Sequence, residues 1–124
     1  MHNESLLDQA YSFRKAMQQP CYTDDDDVLD LQYRLIREEW HEFHLAYTGE
    51  DISNDVVETL KELADLVFVC YQFAAARGWD LDTALRRVFE SNMSKLVDGE
   101  PLRRIDGKIL KGPNYIPPTL DDLV

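Results

Sequence analysis

Between Asn54 and Gly78 the chain carries Val56, Val57, Leu60, Leu63, Leu66, Val67, Phe68, Val69, Cys70, Tyr71 and Phe73. On a helix this density leaves almost no polar face, and a helix apolar nearly all round must be buried nearly all round. The rest of the chain has few partners to offer it. At 124 residues, one domain spanning 1–124 is expected. A chain of that size buries only a modest share of its surface. A homo-oligomer, dimer or tetramer, with this helix near the interface is therefore expected.

The flanking sequence divides into further helices at its breakers. The first runs from about Glu4 to Met17, with Leu6, Ala10, Phe13 and Met17 on one face, and stops before Pro20. The second runs from about Asp26 to Tyr47 and ends at Thr48-Gly49. Its start is marked by Asp24–Asp27, whose charges oppose the positive end of the helix dipole. The apolar helix starts near Ser53-Asn54, both good caps, and ends at Arg77-Gly78. The fourth starts after Asp80 and runs to about Leu96. Gly99, Pro101, Gly107, Gly112, Pro113, Pro117 and Pro118 make residues 98–124 an extended tail, with room for a short hairpin at Asp106-Gly107. Nothing alternates with period two for long enough to form a sheet. The expected fold is all-α, a four-helix bundle with an irregular C-terminal tail.

Charge and composition narrow the function. The net charge of −11 argues against a nucleic-acid binder, which needs a basic footprint. It leaves room for an anionic ligand, because divalent cations on carboxylates invert the local field. An apolar fraction of 44% against 30% charged residues reads as soluble and globular. No apolar run approaches the roughly 20 residues that span a bilayer. The start, MHNESLLDQAYSF, lacks a basic stretch followed by an apolar core, so it does not read as a secretory signal. Cys21 and Cys70 have no zinc-like spacing and read as reduced thiols, so a cytoplasmic location is expected.

Two acidic clusters stand out, Glu38-Glu39-Trp40-His41-Glu42 on the second helix and Glu62-Leu63-Ala64-Asp65 on the third. Residues three apart are neighbours on a helix, so Glu39 and Glu42 point together, as do Glu62 and Asp65. At about 100° per residue, Glu39 and Glu42 share the arc of Val28, Leu31, Leu35 and Ala46, while Asp30, Arg34, Arg37 and His41 form the polar stripe. Glu38 sits at the edge of the apolar arc. On the third helix Glu62 falls between Val69 and Phe73, and Asp65 lies next to Ala76 with Glu58 on the same side. Carboxylates on a core-facing arc are costly unless paired or metal-bound. Lys61 is expected off the carboxylate side and the arginines of the second helix on its outer stripe, which leaves a metal as the compensation.

The short connection near Gly49–Ser53 makes the two helices antiparallel neighbours. With Asp51 as the turn and about 1.5 Å per residue, Glu42 and Glu62 both lie roughly 13–17 Å from it. Glu39 and Asp65 are level with each other one turn further on. Such an oxygen set suits Mg²⁺, with Mn²⁺ as a substitute. The cluster holds no cysteine and His41 falls on the polar stripe, which argues against zinc.

The pattern EExxE followed by ExxD, here EEWHE and ELAD, resembles the MazG-like nucleotide pyrophosphohydrolases of the all-α NTP pyrophosphatase superfamily. Ser91-Asn92-Met93-Ser94-Lys95-Leu96 is similar to that family's downstream helix, and DGKILKGPNYIPPTL to the tail of small, often phage-encoded members such as the MazZ group. The resemblance covers roughly Leu29 to Leu120. It implies Mg²⁺-dependent hydrolysis of an NTP or dNTP to the monophosphate and pyrophosphate, leaning to dGTP or GTP. Glu39, Glu42, Glu62 and Asp65 are the implied metal ligands. Glu38 is implied beside Glu39 as a catalytic carboxylate, taking the proton from the attacking water or binding a further metal, with Glu58 a weaker candidate. Asn92 and Lys95 are implied to meet the phosphates, with Lys108, Lys111 and Tyr115 folding over from the tail. The residues themselves support part of this: Leu81, Leu85, Val88 and Leu96 form the fourth helix's apolar stripe, with Asn92 within it and Lys95 at its edge. Phe13, Met17 and Trp40 are candidates to stack on the base, and His44 reads as a surface residue.

Two other readings fit part of the pattern. An acidic helical protein-interaction module without catalysis has no need of carboxylates on a core-facing arc. A di-iron bundle normally has a Glu-x-x-His pair on each of two helices, and here Glu38-x-x-His41 occurs once.

Overall fold

The computed structural model describes residues 4–50 and 55–124. They form four helices, α1 (Leu6–Ala16), α2 (Asp26–Thr48), α3 (Val56–Arg77) and α4 (Leu81–Met93), and a single 3₁₀ turn at Asp121–Leu123. Among the described residues there are only isolated bridges and no strand, so the chain is all-α as its periodicity predicts.

Each helix starts on a side-chain cap. The Ser5 hydroxyl accepts the Asp8 N–H at 3.1 Å while the Asp8 carboxylate accepts the Ser5 N–H at 3.2 Å, a capping box. Asp25 accepts the Asp27 N–H at 2.8 Å at the head of α2, where Asp26 and Asp27 fill the first turn. Asp55 accepts the Val57 N–H at 2.9 Å and caps α3; the sequence-based caps Ser53-Asn54 and the turn at Asp51 lie outside the described residues. Gly49 (φ 73°) and Gly78 (φ 80°) end α2 and α3 in the left-handed region, where a side chain is disfavoured.

The chain divides into two compact units, Met1–Trp79 and Asp80–Val124. In the first, α1 and α2 pack on α3. The Thr59 hydroxyl donates to the Ala46 carbonyl at 3.4 Å near the connection, and Glu39 meets Glu62 and Asp65 further along, so α2 and α3 run antiparallel. Phe13 packs edge-on against Phe68 with ring centroids 5.0 Å apart. The inward face of α1 is centred on Ala10 and Arg14, both buried, whereas Leu6 and Met17 are exposed. This corrects the sequence-based face. Arg14 is only 1% exposed because its guanidinium donates to the Pro20 carbonyl (2.9 Å) and to Gln72 Oε1 (3.4 Å).

In the second unit α4 ends at Met93, short of the expected Leu96. The Ser94 hydroxyl donates back to the Ser91 carbonyl at 2.6 Å, and Lys95 and Leu96 bond three residues back instead of four, tightening the end of the helix into a 3₁₀-type turn. The tail opens with a two-residue turn at Asp98-Gly99, paired both ways between Val97 and Glu100. The expected hairpin at Asp106-Gly107 is present, bridged at Arg103 and Ile109. The tail then returns to α4. Ser91 Oγ donates to the Ile116 carbonyl (2.7 Å), the Ile116 N–H donates to Ser94 Oγ (2.8 Å), and Arg87 holds both Thr119 O (3.0 Å) and the Asp122 carboxylate. No described helix is long and apolar enough to cross a membrane.

Candidate active site

The inward direction of α2 is marked by Gln32 and Ala46, each 2% exposed. Glu39 lies midway between them at seven-residue spacing, so it shares their stripe. It meets Glu62 and Asp65 of α3, and one carboxylate oxygen from each of the three lies within 4.8 Å of the others. Glu62 is buried, and Glu39 and Asp65 are half-buried.

Crowding of like charge shows in Glu39. Burial raises its pKa above the ordinary 4.5, the charges of Asp65, Glu62 and Glu38 push it further up, and Lys61 pulls it down. The position of Lys61 corrects the sequence-based expectation. Its ammonium lies 2.8 Å from Asp65 Oδ2 and 3.4 Å from Glu62 Oε1, and those hydrogen bonds raise its pKa above the usual lysine value. A wheel locates Cα atoms, but a four-carbon stem reaches round to a residue four positions on. One ammonium still leaves three carboxylates undercompensated. The set is all oxygen, drawn from two helices, and fits a hard divalent cation better than a thiolate- or imidazole-preferring one.

Other sequence-based candidates are placed differently. Glu42 and Glu38 are exposed and stand outside the group of three. Glu58 is half-buried. In the second unit Asn92 is exposed and Lys95 half-buried, and the Lys111 ammonium sits 4.8 Å over the Tyr115 ring. Among the aromatic candidates Phe13 is engaged with Phe68, while Trp40 is 55% exposed and stacks on His44 at 5.2 Å. Sequence reasoning missed a polar group deeper on the same stripes. Gln32 lies seven residues before Glu39, Gln72 seven after Asp65, and Gln72 is bonded to Arg14. Gln32 Oε1 and Gln72 Nε2 are buried without a hydrogen-bond partner among the described residues. The seven-residue spacing was the signal that could have found them.

The acidic group set between two antiparallel helices agrees with the class to which the family match assigns the chain, the MazG-like all-α NTP pyrophosphatases. Within it, the family model of phosphoribosyl-ATP pyrophosphohydrolase matches residues 8–92, and the chain belongs to that family. The match takes in most of α1, all of α2 and α3, and α4 up to Asn92. No curated protein matches the chain. Membership makes it a hydrolase of the pyrophosphohydrolase type, in a family whose members are typically dependent on divalent metal.

Proposed function

We propose that the chain is a Mg²⁺-dependent nucleoside triphosphate pyrophosphohydrolase, converting a (d)NTP and water to the (d)NMP and pyrophosphate, with dGTP or GTP preferred. The observation that carries the reading is the convergence of Glu39, Glu62 and Asp65 within 4.8 Å in a pyrophosphohydrolase-family chain.

In this reading Glu39, Glu62 and Asp65 hold Mg²⁺, with Mn²⁺ as substitute, and Glu42 joins them as a further ligand. The bound cation supplies neutralisation of phosphate charge and a lowered pKa for water. Glu38, exposed beside Glu39, takes the proton from the attacking water. The phosphate-binding roles of Asn92, Lys95, Lys111 and Tyr115 rest on the sequence motif alone. Trp40, half-exposed on α2, offers a face for a purine. The preference for guanine and the small phage-type subclass rest on the resemblance of the motifs and tail. The chain acts in this reading as one functional domain in the cytoplasm, without nucleic acid or membrane, and as a homodimer or homotetramer. The oligomer is supported by exposed Val56, Leu60, Leu63 and Val67 on α3.

The family match favours a second substrate, phosphoribosyl-ATP, whose hydrolysis by a pyrophosphohydrolase likewise releases pyrophosphate. Incubating the protein with the common NTPs, dNTPs and phosphoribosyl-ATP, with and without Mg²⁺, separates the readings by chromatography. The expected products are NMP and pyrophosphate from a guanine nucleotide, in Mg²⁺ only. Turnover of phosphoribosyl-ATP alone would replace the NTP assignment. NDP and phosphate as products would reverse the bond choice. An inert protein that also ignores Mg²⁺ would return the acidic interaction module.

A further inference from the structure

We propose that Lys61 is a tethered counter-ion of the acidic centre, holding Glu62 and Asp65 in the metal-free protein and giving them up when a divalent cation binds. This rests on the metal-site reading above. The ammonium sits 2.8 Å from Asp65 Oδ2 and 3.4 Å from Glu62 Oε1, the α3 members of the group that Glu39 completes from α2. It therefore engages two of the three carboxylates that would hold a cation.

Two features make the ammonium displaceable. The Lys61 side chain is 59% exposed, so it can rotate into water without repacking α3. An ammonium is also a strongly hydrated point charge on a flexible stem, unlike the bidentate guanidinium that would lock a carboxylate. Charge favours the exchange. Lys61 brings one positive charge to three carboxylates, whereas a divalent cation brings two. Once the cation is in place, an ammonium left at contact distance repels it. Lys61 thus lowers the repulsion of the metal-free site at the expense of its metal affinity. It is a positioning residue for the carboxylates in the free state, not a ligand.

The test is calorimetric titration of MgCl₂ and of MnCl₂ into the full chain and into Lys61→Met, without nucleotide. Removing a unit charge some 5 Å from a divalent ion is expected to tighten binding by about 15-fold in unscreened water and by about 5-fold at 0.1 M ionic strength. Lys61→Arg, which keeps the charge and adds a bidentate grip, is expected to bind the cations no better than wild type. A readout on the wild-type protein guards against a variant that fails to fold. After reductive ¹³C-methylation, the Lys61 methyl resonance is expected to move towards that of an exposed lysine as Mg²⁺ is added. Equal or weaker cation binding by Lys61→Met, or a Lys61 resonance indifferent to saturating Mg²⁺, would overturn the counter-ion role and leave the metal site standing. If neither protein binds Mg²⁺ or Mn²⁺ at millimolar concentration, the metal-site reading falls and this inference with it.

Discussion

At Glu39, burial and the charges of Asp65, Glu62 and Glu38 all favour the protonated form, and only Lys61 opposes them. An acid with a raised pKa binds its proton more tightly folded than unfolded, so its charge opposes folding above its ordinary range unless a cation is bound. Replacing Glu39 by Gln, or Asp65 by Asn, keeps volume and removes that charge. We expect either change to lower hydrolysis by more than about 100-fold, since even the outer partners of a metal site cost about 10–100-fold. The helical circular dichroism is expected to stay intact in both, and metal-free Glu39→Gln to be no less stable than wild type, whereas Asp65→Asn also gives up the ion pair with Lys61. Wild-type turnover in either variant would remove these residues from the site. Glu39, Glu62 and Asp65 were legible in the sequence because their placement follows from helical phase. Lys61 was not, because a long flexible stem is poorly constrained by the phase of its Cα. Nor was Arg14, a charged residue whose burial depends on the Pro20 carbonyl and Gln72, far apart in sequence.

Among the elements, α3 presents two opposed faces. Glu62 and Asp65 face α2, while Val56, Leu60, Leu63 and Val67 recur at four- and three-residue steps on the other side and are 84%, 66%, 42% and 43% exposed. That spacing makes a helix–helix seam. The apolar grooves on either side of it share Leu60 and Leu63 and measure about 350 and 430 Å³. A second copy of the chain is the occupant we expect. Light scattering should give a dimer or tetramer at micromolar concentration, and Leu60→Asp should shift it to monomer or to insoluble protein. A folded, soluble wild-type monomer would refute the seam. The ends of α2 and α3 were readable from Gly49 and Gly78, whereas the end of α4 depended on Ser94 and a tail contact from Ile116 that no local pattern encodes. That tail contact carries its own pH dependence. Arg87 depresses the pKa of Asp122 below the ordinary 3.8. A depressed carboxylate contributes its stabilisation above the unfolded pKa and loses it as pH falls through the folded one. Amide protection at residues 121–124, taken as exchange relative to the intrinsic rate at the same pH, should therefore hold from neutrality down to about the ordinary aspartate range and fall below it. In Asp122→Asn the protection should be low at every pH, and wild-type protection that is insensitive to acid would separate the ion pair from tail docking.

For the molecule as a whole, a net charge of −11 means that the metal-free state carries its self-repulsion into the fold, with three carboxylates concentrated at one level of the α2–α3 pair. A cation that binds the folded chain and ignores the unfolded one stabilises it by mass action, about 2.7 kcal/mol at a hundredfold excess over Kd. For a chain of this size that corresponds to a rise in Tm of roughly 5–15 °C between chelator and saturating Mg²⁺. General screening of a −11 surface would also raise Tm, but it follows ionic strength and is nearly indifferent to which cation supplies it. Melting curves with NaCl at matched ionic strength should therefore show only a minor shift. Glu39→Gln should flatten the Mg²⁺ response while leaving the NaCl response unchanged, because it disables one site without altering the rest of the surface. A wild-type Tm that does not move from chelator to millimolar Mg²⁺ would mean that the convergence of Glu39, Glu62 and Asp65 is balanced by Lys61 and solvent alone.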